Sequence, residues 1–333
     1  MEPVITVKNL NKQYVTYKRG DSFRETVKSM FVREKVIVDA VKNISFDISK
    51  GEIAGLLGEN GAGKSTTIKI LTGVLYPTSG QVNVLGYAPF AQRKKYVKHI
   101  GAVFGQKSQL IWDIPPLDSF ALNQAIYDIP NAEYRKRLDE MLQLLDIHEA
   151  VQKPTRVLSL GERMKCEFVM AMLHNPEVVF LDEPTIGVDI MAKEAIHSFI
   201  RNRNNEGVTF ILTTHDLEDI ESLARRVIII NHGEKVLEDS LSGLRKHLGD
   251  KKTVLVSMKN NITVKNFSDA QGITLLKQIN DREIELLVDH EKIPMNDFIS
   301  LISSMGEIRD ISIKEINIGV VIKSIYKNGK ADA

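Results

Sequence analysis

One cysteine, Cys166, stands in 333 residues. That scarcity excludes an intrachain disulfide framework and any Cys-based zinc site within one chain, and it fits a reducing cytosolic setting. An excess of one charge is missing as well, since 44 Lys+Arg face 43 Asp+Glu for a formal net charge of +1. Dedicated nucleic-acid binders carry a strong basic excess, so no nucleic-acid partner is expected. Long hydrophobic runs are absent too. Val227-Ile228-Ile229-Ile230 and Ile318-Gly319-Val320-Val321-Ile322 fall far below the roughly 20 residues that a membrane-spanning helix needs. The opening Met1-Glu2-Pro3-Val4 starts no basic-then-apolar pattern, so no signal peptide is expected. If the protein works at a membrane, another chain does the spanning. There is no internal repeat and no low-complexity segment.

What is present is ordinary for a globular protein, with 43% hydrophobic and 26% charged residues, enough apolar content for a sizeable core. The length is about twice that of one ordinary domain, so two domains are the opening expectation. Residues 1–240 alternate strand and helix signals. Ile53–Leu57, Val178–Leu181 and Thr209–Thr213 are short apolar runs of the length that buried parallel strands use. Tyr134, Leu138, Met141, Leu142 and Leu145 recur at helical spacing, with Asn131 placed to cap that helix. A second stripe, Met164, Phe168, Ala171 and Met172, follows Gly161-Glu162. Both stripes read as core faces, and Cys166 as a small buried side chain.

A polar, basic stretch from Asp239-Ser240 to Lys251-Lys252 marks a boundary, which makes 1–240 one domain, 241–252 a linker and 253–333 a second, smaller domain. In the latter, Thr253–Ser257, Glu283–Val288 and Ile308–Ile313 read as strands. Phe298, Leu301, Ile302 and Met305 make a helical face ended by Gly306, and Ile318, Val321, Ile322 and Ile325 lie on a last helix.

Gly58-Glu59-Asn60-Gly61-Ala62-Gly63-Lys64-Ser65 matches G-x-x-x-x-G-K-[ST]. Glycines at these places let backbone N–H groups turn inward around phosphate oxygens. Lys64 sets a positive charge against the β- and γ-phosphates, Ser65 offers an oxygen to Mg²⁺, and the helix over Thr66–Thr72 presents its positive end to the anion. This is a nucleotide site. The strand at 178–181 runs into Asp182-Glu183. Asp182 suits direct or second-layer coordination of Mg²⁺, whose hard shell prefers oxygen. Glu183 sits where a strand end opens onto the phosphates, the place of a general base for the attacking water.

Leu158-Ser159-Leu160-Gly161-Glu162, about 20 residues before Asp182, resembles the signature motif of ATP-binding-cassette (ABC) transporter ATPases, usually written LSGGQ. Other family elements follow the same resemblance. Gln106, in Val103-Phe104-Gly105-Gln106, looks like the glutamine that senses Mg²⁺ and contacts the membrane subunit. Pro184-Thr185-Ile186-Gly187-Val188-Asp189 looks like the D-loop. His215 looks like the switch histidine on the γ-phosphate, and Tyr14 falls where the family stacks an aromatic on adenine. The resemblance covers about residues 4–240.

It implies an α/β P-loop nucleotide-binding domain with a mixed-sheet core, an antiparallel β subdomain and a helical signature subdomain, followed by a small α+β accessory domain. It also implies an ATP hydrolase using ATP and Mg²⁺. Two copies would close head-to-tail, so that Gly58–Thr66, Asp182, Glu183 and His215 of one chain meet Ser159 and Gly161 of the other. Leu173-His174-Asn175-Pro176-Glu177, Leu160–Met164 and the C-terminal module resemble bacterial export ATPases of the daunorubicin, Nod-factor, sodium and multidrug (viologen) type. The implied partner is a separate polytopic permease, and the implied location is the cytoplasmic face of the membrane.

The alternative is a soluble ABC ATPase acting on ribosomes or nucleic acid. Such proteins usually carry two cassettes or a long coiled-coil insertion, and neither is visible here. Two departures stand out: Leu160 where the family has Gly, and Glu162 where it has Gln. Glu162 suits a helix N-terminus but sets a negative charge near phosphate, so weaker ATP-driven dimerisation is expected.

Finally, an insertion at about 17–37 lengthens the first hairpin. Phe23, Val27, Met30 and Phe31 fall at helical spacing, and residues 12–42 carry eight Lys/Arg and four Asp/Glu. Two readings stand open: an amphipathic helix lying on the anionic inner leaflet or the permease, or an insertion packed on its own sheet.

Overall fold

The computed structural model describes residues 3–17, 35–246, 251–262 and 272–315. The chain divides into two compact units, Met1–Glu238 and Asp239–Ala333. In chain order the first part holds β1 (Pro3–Tyr17), β2 (Lys35–Ser49), β3 (Ile53–Leu57), α1 (Lys64–Leu71), β4 (Ser79–Val84), α2 (Arg93–Tyr96) and β5 (Ile100–Phe104). Then come α3 (Pro116–Ile126), α4 (Asn131–Leu145), α5 (Leu160–Met172), β6 (Val178–Asp182), α6 (Ile190–Asn205), β7 (Thr209–Thr213), α7 (Leu217–Leu223), β8 (Arg226–Asn231) and β9 (Glu234–Ser240).

Every residue of β3 and β7 is buried, the mark of strands covered on both faces. They lie inside a six-stranded sheet of order β5-β6-β7-β3-β8-β9, in which β5, β6, β7, β3 and β8 run parallel. Parallel pairing has a direct consequence for the site. The C-terminal ends Phe104, Asp182, Thr213 and Leu57 all reach the same sheet edge, where open α/β sheets bind their ligands.

The second sheet is antiparallel, of order β2-β1-β4. Its inward residues Ile5, Val7, Ile44, Phe46 and Ile48 join Leu56, Ile68, Phe180 and Ile211 in one core. Each such side chain contributes about 1.5–3 kcal/mol on burial. The pairing of β1 with β2 continues outward to Tyr17 opposite Lys35. The insertion expected at 17–37 therefore begins and ends inside the hairpin, at Tyr17 and at Lys35–Ile37. The helix expected over Phe23, Val27, Met30 and Phe31 lies outside the described residues.

In the helical part, Leu138, Met141, Leu142 and Leu145 of α4 are buried as their spacing predicts. The expected cap is displaced by one residue. Pro130 holds the cap position, its fixed φ already suited to a helix start. Asn131 is the first helical residue instead, and its Oδ1 accepts from Gln124 Nε2 at 2.6 Å. On α5, Met164, Phe168, Ala171 and Met172 face the core. Cys166 is fully buried with them, and that burial pushes its thiol up to about 12.

The second unit carries α8 (Leu241–Lys246), β10 (Lys251–Met258), β11 (Ile273–Asn280), β12 (Glu283–Asp289), α9 (Met295–Met305) and β13 (Ile308–Glu315). Its strands form an antiparallel sheet of order β11-β12-β10-β13. Phe298 and Ile302 of α9 close its core against Val254, Val256, Ile284 and Leu286. Residues 241–252, expected as a linker, instead hold α8 and the first residues of β10. The polar run has no apolar period to betray a helix, which starts where Ser240 Oγ accepts the Gly243 N–H at 3.0 Å. The last helix expected over 318–325 lies outside the described residues. Among the described residues no helix is long and apolar enough to cross a membrane.

Candidate nucleotide site at the strand ends

The loop from Gly58 to Gly63 leaves β3 and enters α1. Its conformation admits little but glycine at two points. A Cβ on Gly58 would lie 2.3 Å from the Ile230 carbonyl oxygen. Gly63 has a φ of +106°, and its Cβ would lie 2.3 Å from the Ala40 carbonyl oxygen. The loop curls around Lys64, only 5% exposed, whose Nζ donates to the carbonyls of Gly58 (2.7 Å) and Glu59 (3.1 Å). Burial pulls the Lys64 ammonium below its ordinary value, opposed by the carboxylates of Glu183 and Asp182. A cation held this way, with no carboxylate of the described residues in direct contact, is suited to an anion arriving from solvent.

Across the sheet edge, Ser65 Oγ donates to Asp182 Oδ1 at 2.9 Å, and Thr213 Oγ1 donates to the same oxygen at 2.5 Å. Glu183 follows at a φ of +52°, a left-handed conformation that costs a non-glycine residue of order 1–3 kcal/mol and clusters at functional sites. Neighbouring strands hold it there. The Glu183 N–H donates to the Thr213 carbonyl at 2.9 Å, and Gly105 packs so close that a Cβ would lie 2.1 Å from the Glu183 carbonyl oxygen. His215 Nδ1 stands 3.6 Å from Glu183 Oε1, with the imidazole half exposed and the carboxylate mostly covered.

These groups line one cleft of about 660 Å³. Of the residues singled out in the sequence, the cleft gathers Gly58, Asn60, Ser65, Gln106, Asp182, Glu183 and His215. Gly61, Gly63, Lys64 and Thr66 adjoin these in the same loop and first turn of α1 but do not line the cleft. Tyr14 is not brought to it. It sits on β1 opposite Val38, 39% exposed, with the Lys12 ammonium 5.3 Å from its ring centroid.

Ser159 and Gly161 lie apart from the cleft, at the start of α5. Ser159 is the N-cap of a complete capping box. Its Oγ accepts the Glu162 N–H at 3.2 Å, while Glu162 accepts the Ser159 N–H at 2.8 Å. Hydrogen bonding to Ser159 holds the Glu162 carboxyl below its usual range. The substituted glutamate thus folds back onto its own helix. Leu160, the other departure, lies against the D-loop, since a Cβ on Gly187 would meet its Cδ2 at 3.2 Å. Gly161 is required by contact, because a Cβ there would stand 2.7 Å from Ala192 Cβ and 2.9 Å from Asp189 Oδ2. Asp189 caps α6 by accepting the Ala192 N–H at 2.9 Å.

Three structural participants escaped the sequence reading: Thr213, Gly105 and Asp219. A Thr-Thr pair directly before His215 was the available signal for the first. For the other two the signal exists only in the register of the parallel strands and in the packing of α7.

Comparison with known proteins agrees with this geometry. The ABC transporter family profile matches residues 41–186. The linearmycin resistance ATP-binding protein LnrL of Bacillus subtilis is 31% identical over 279 residues, spanning 81% of this chain and 86% of that protein. The bacitracin transport ATP-binding protein BcrA of Bacillus licheniformis is 29% identical over 68% of this chain and 76% of its own length. Among solved structures, a dimeric post-hydrolysis state of an ATP-binding cassette bound to ADP and Pi superposes with a TM-score of 0.58 at 27% identity. It covers 71% of this chain and 98% of that one.

Proposed function

This chain belongs to the ABC transporter ATP-binding family, and on that premise we propose that it is the ATP-hydrolysing subunit of an exporter. It closes with a second copy around two ATP and drives a separate membrane permease. The observation that carries the reading is the single cleft in which the Lys64 loop, the Ser65–Asp182 pair, Glu183 and His215 converge.

In this reading the loop N–H groups and Lys64 receive the β- and γ-phosphates, which take over from the Gly58 and Glu59 carbonyls as partners of the ammonium. Ser65 and Asp182 fit Mg²⁺, being hard oxygen donors already 2.9 Å apart. When bound, the ion supplies charge neutralisation of the phosphate oxygens. Glu183 takes a proton from the attacking water as its oxygen bonds to the γ-phosphorus, and ADP departs. His215 hydrogen-bonds the γ-phosphate from the other side of Glu183. Gln106, exposed at the end of β5, lies where it reaches both the cleft and a docked membrane subunit. Tyr14 is the residue proposed to stack on adenine once nucleotide is in place.

Ser159 and Gly161 complete the site of the opposite copy. Ser159 Oγ accepts one hydrogen bond from its own helix, and in the closed dimer its hydroxyl turns from the Glu162 carboxylate to donate to phosphate. The dimeric ADP-bound cassette supports this arrangement, and the names of the resistance and bacitracin relatives support export. Specificity then resides in the permease, and this chain works peripherally at the cytoplasmic face of the membrane.

The test is affinity purification of tagged Glu183→Gln protein from detergent-solubilised native membranes, with and without ATP. A stoichiometric polytopic membrane protein in the eluate is expected. An eluate of ribosomes, nucleic acid or the ATPase alone would reassign the same ATP chemistry to a soluble role.

A further inference from the structure

Behind Glu183 and His215 lies a second cleft of about 660 Å³, lined by Thr185, Lys193, His197 and Thr214 among others. Asp219, on α7, is 1% exposed and does not itself line the cleft, but it bonds to four residues that do. Its two oxygens divide their work. Oδ1 faces α6 and accepts from Lys193 Nζ and His197 Nε2, both at 2.9 Å. Oδ2 faces the strand ends and accepts from Thr185 Oγ1 at 2.5 Å and Thr214 Oγ1 at 3.1 Å. Thr185 comes two residues after Glu183, and Thr214 comes immediately before His215. The Thr214 hydroxyl also accepts the Asp216 N–H at 2.9 Å, so His215 is bracketed on both sides.

We propose that Asp219 is a positioning residue for ATP hydrolysis, its Oδ2 clamping Thr185 to Thr214 and so fixing Glu183 against His215. The inference rests on the reading of Glu183 as general base and His215 as a γ-phosphate contact. The clamp is stiff for physical reasons. Burial alone pushes a carboxyl up, yet the bonds from His197, Thr185 and Lys193 outweigh it and hold Asp219 down at about 2. It is therefore a full anion, and hydroxyls bonded to a buried anion are held more firmly than hydroxyls bonded to neutral acceptors. The two residues it aligns follow the ends of different strands, β6 and β7, whose ladder ends at Asp182 opposite Thr213. Beyond that last pair the Glu183 N–H still bonds the Thr213 carbonyl. Asp219 adds a side-chain cross-link one step further out, and displacements near 1 Å at reacting groups cost roughly 100-fold in rate.

The test avoids Asp219→Ala, which would strip the buried His197 of its carboxylate partner and leave Lys193 with Asp216 and Glu218 alone among its acidic partners in the described residues. Thr185→Val removes one Oδ2 bond alone, while Thr214→Val removes the other together with the bond from the Asp216 N–H. Both, and their combination, keep side-chain shape, with Lys193 and His197 still paired to Oδ1. For the full chain, the double variant is expected to lose at least about tenfold in kcat while KM for ATP stays within about twofold. Thr→Ser at both positions is expected to restore most of the rate by restoring the hydroxyls. A kcat within twofold of wild type in the folded double variant would overturn the proposal. So would a loss that the serine variants fail to restore. Glu183→Gln, run in the same assay, separates the two levels. Normal turnover in it removes the base assignment itself, whereas slow turnover beside a normal double Thr variant removes only the role of Asp219.

Discussion

Glu183→Gln is expected to bind ATP about as well as the native chain and to hydrolyse it at least about 100-fold more slowly. The substitution keeps size, polarity and the left-handed backbone, because the N–H to the Thr213 carbonyl and the contact with Gly105 involve main chain alone. Only the capacity to take a proton from water is lost. The phosphate loop, Lys64 and the Ser65–Asp182 pair stay in place, so affinity is retained. Product release by a malachite-green or coupled assay, beside equilibrium binding of a fluorescent ATP analogue, measures the two quantities separately. Turnover near the native rate would mean that another group accepts the proton.

Lys64→Ala is the second large effect, and it falls on binding instead. Lys64 makes two hydrogen bonds to its own loop and is the buried positive charge that the loop encloses. Charge-assisted hydrogen bonds contribute about 1.5–3 kcal/mol each. Losing two such contacts to phosphate weakens ATP binding by at least about 100-fold, on the order of 3 kcal/mol. Part of the loss is local. The Gly58 and Glu59 carbonyls lose their shared donor, so the loop relaxes from its prepared shape. Titration calorimetry with ATP gives the answer, and a Kd unchanged from the native chain would contradict the assignment of the cradle. The two variants have opposite signatures, one binding without turnover and the other failing to bind.

Much of this site is legible in the sequence because its chemistry sits in short contiguous stretches. The loop 58–65 and the pair Asp182-Glu183 announce themselves by residue type and order, and the parallel sheet brings them together as alternating strand and helix patterns imply. What stayed hidden depends on long-range register. Thr213 reaches Asp182 because β7 lies beside β6, and Gly105 is obligatory because β5 ends against Glu183. The first leaves only the Thr-Thr pair before His215 as a local trace, and the second leaves none.

The substitutions at the signature motif were legible as departures, but their consequence needed the structure. Glu162 is tied into a capping box and turned toward the Ser159 N–H, where its charge complements the helix end. Local misreadings have equally local causes. A proline took the cap position from Asn131. The second unit's β11, an edge strand exposed over half its length, shows too little apolar alternation to be recognised. The polar run expected as a linker from 241 opens with a short helix whose start is bonded by the Ser240 hydroxyl and the Asp239 carboxylate, contacts that show no apolar period.

The central claim is that the catalytic site is complete only when Ser159 and Gly161 of one copy meet the phosphates held by another. The direct measurement is the mass of Glu183→Gln protein by light scattering after size exclusion, with ATP and Mg²⁺, with ADP and Mg²⁺, and without nucleotide. The account predicts a species of twice 37.4 kDa with ATP alone, and the single-chain mass in the other two conditions. A single-chain mass at saturating ATP, or a dimer indifferent to nucleotide, would contradict it.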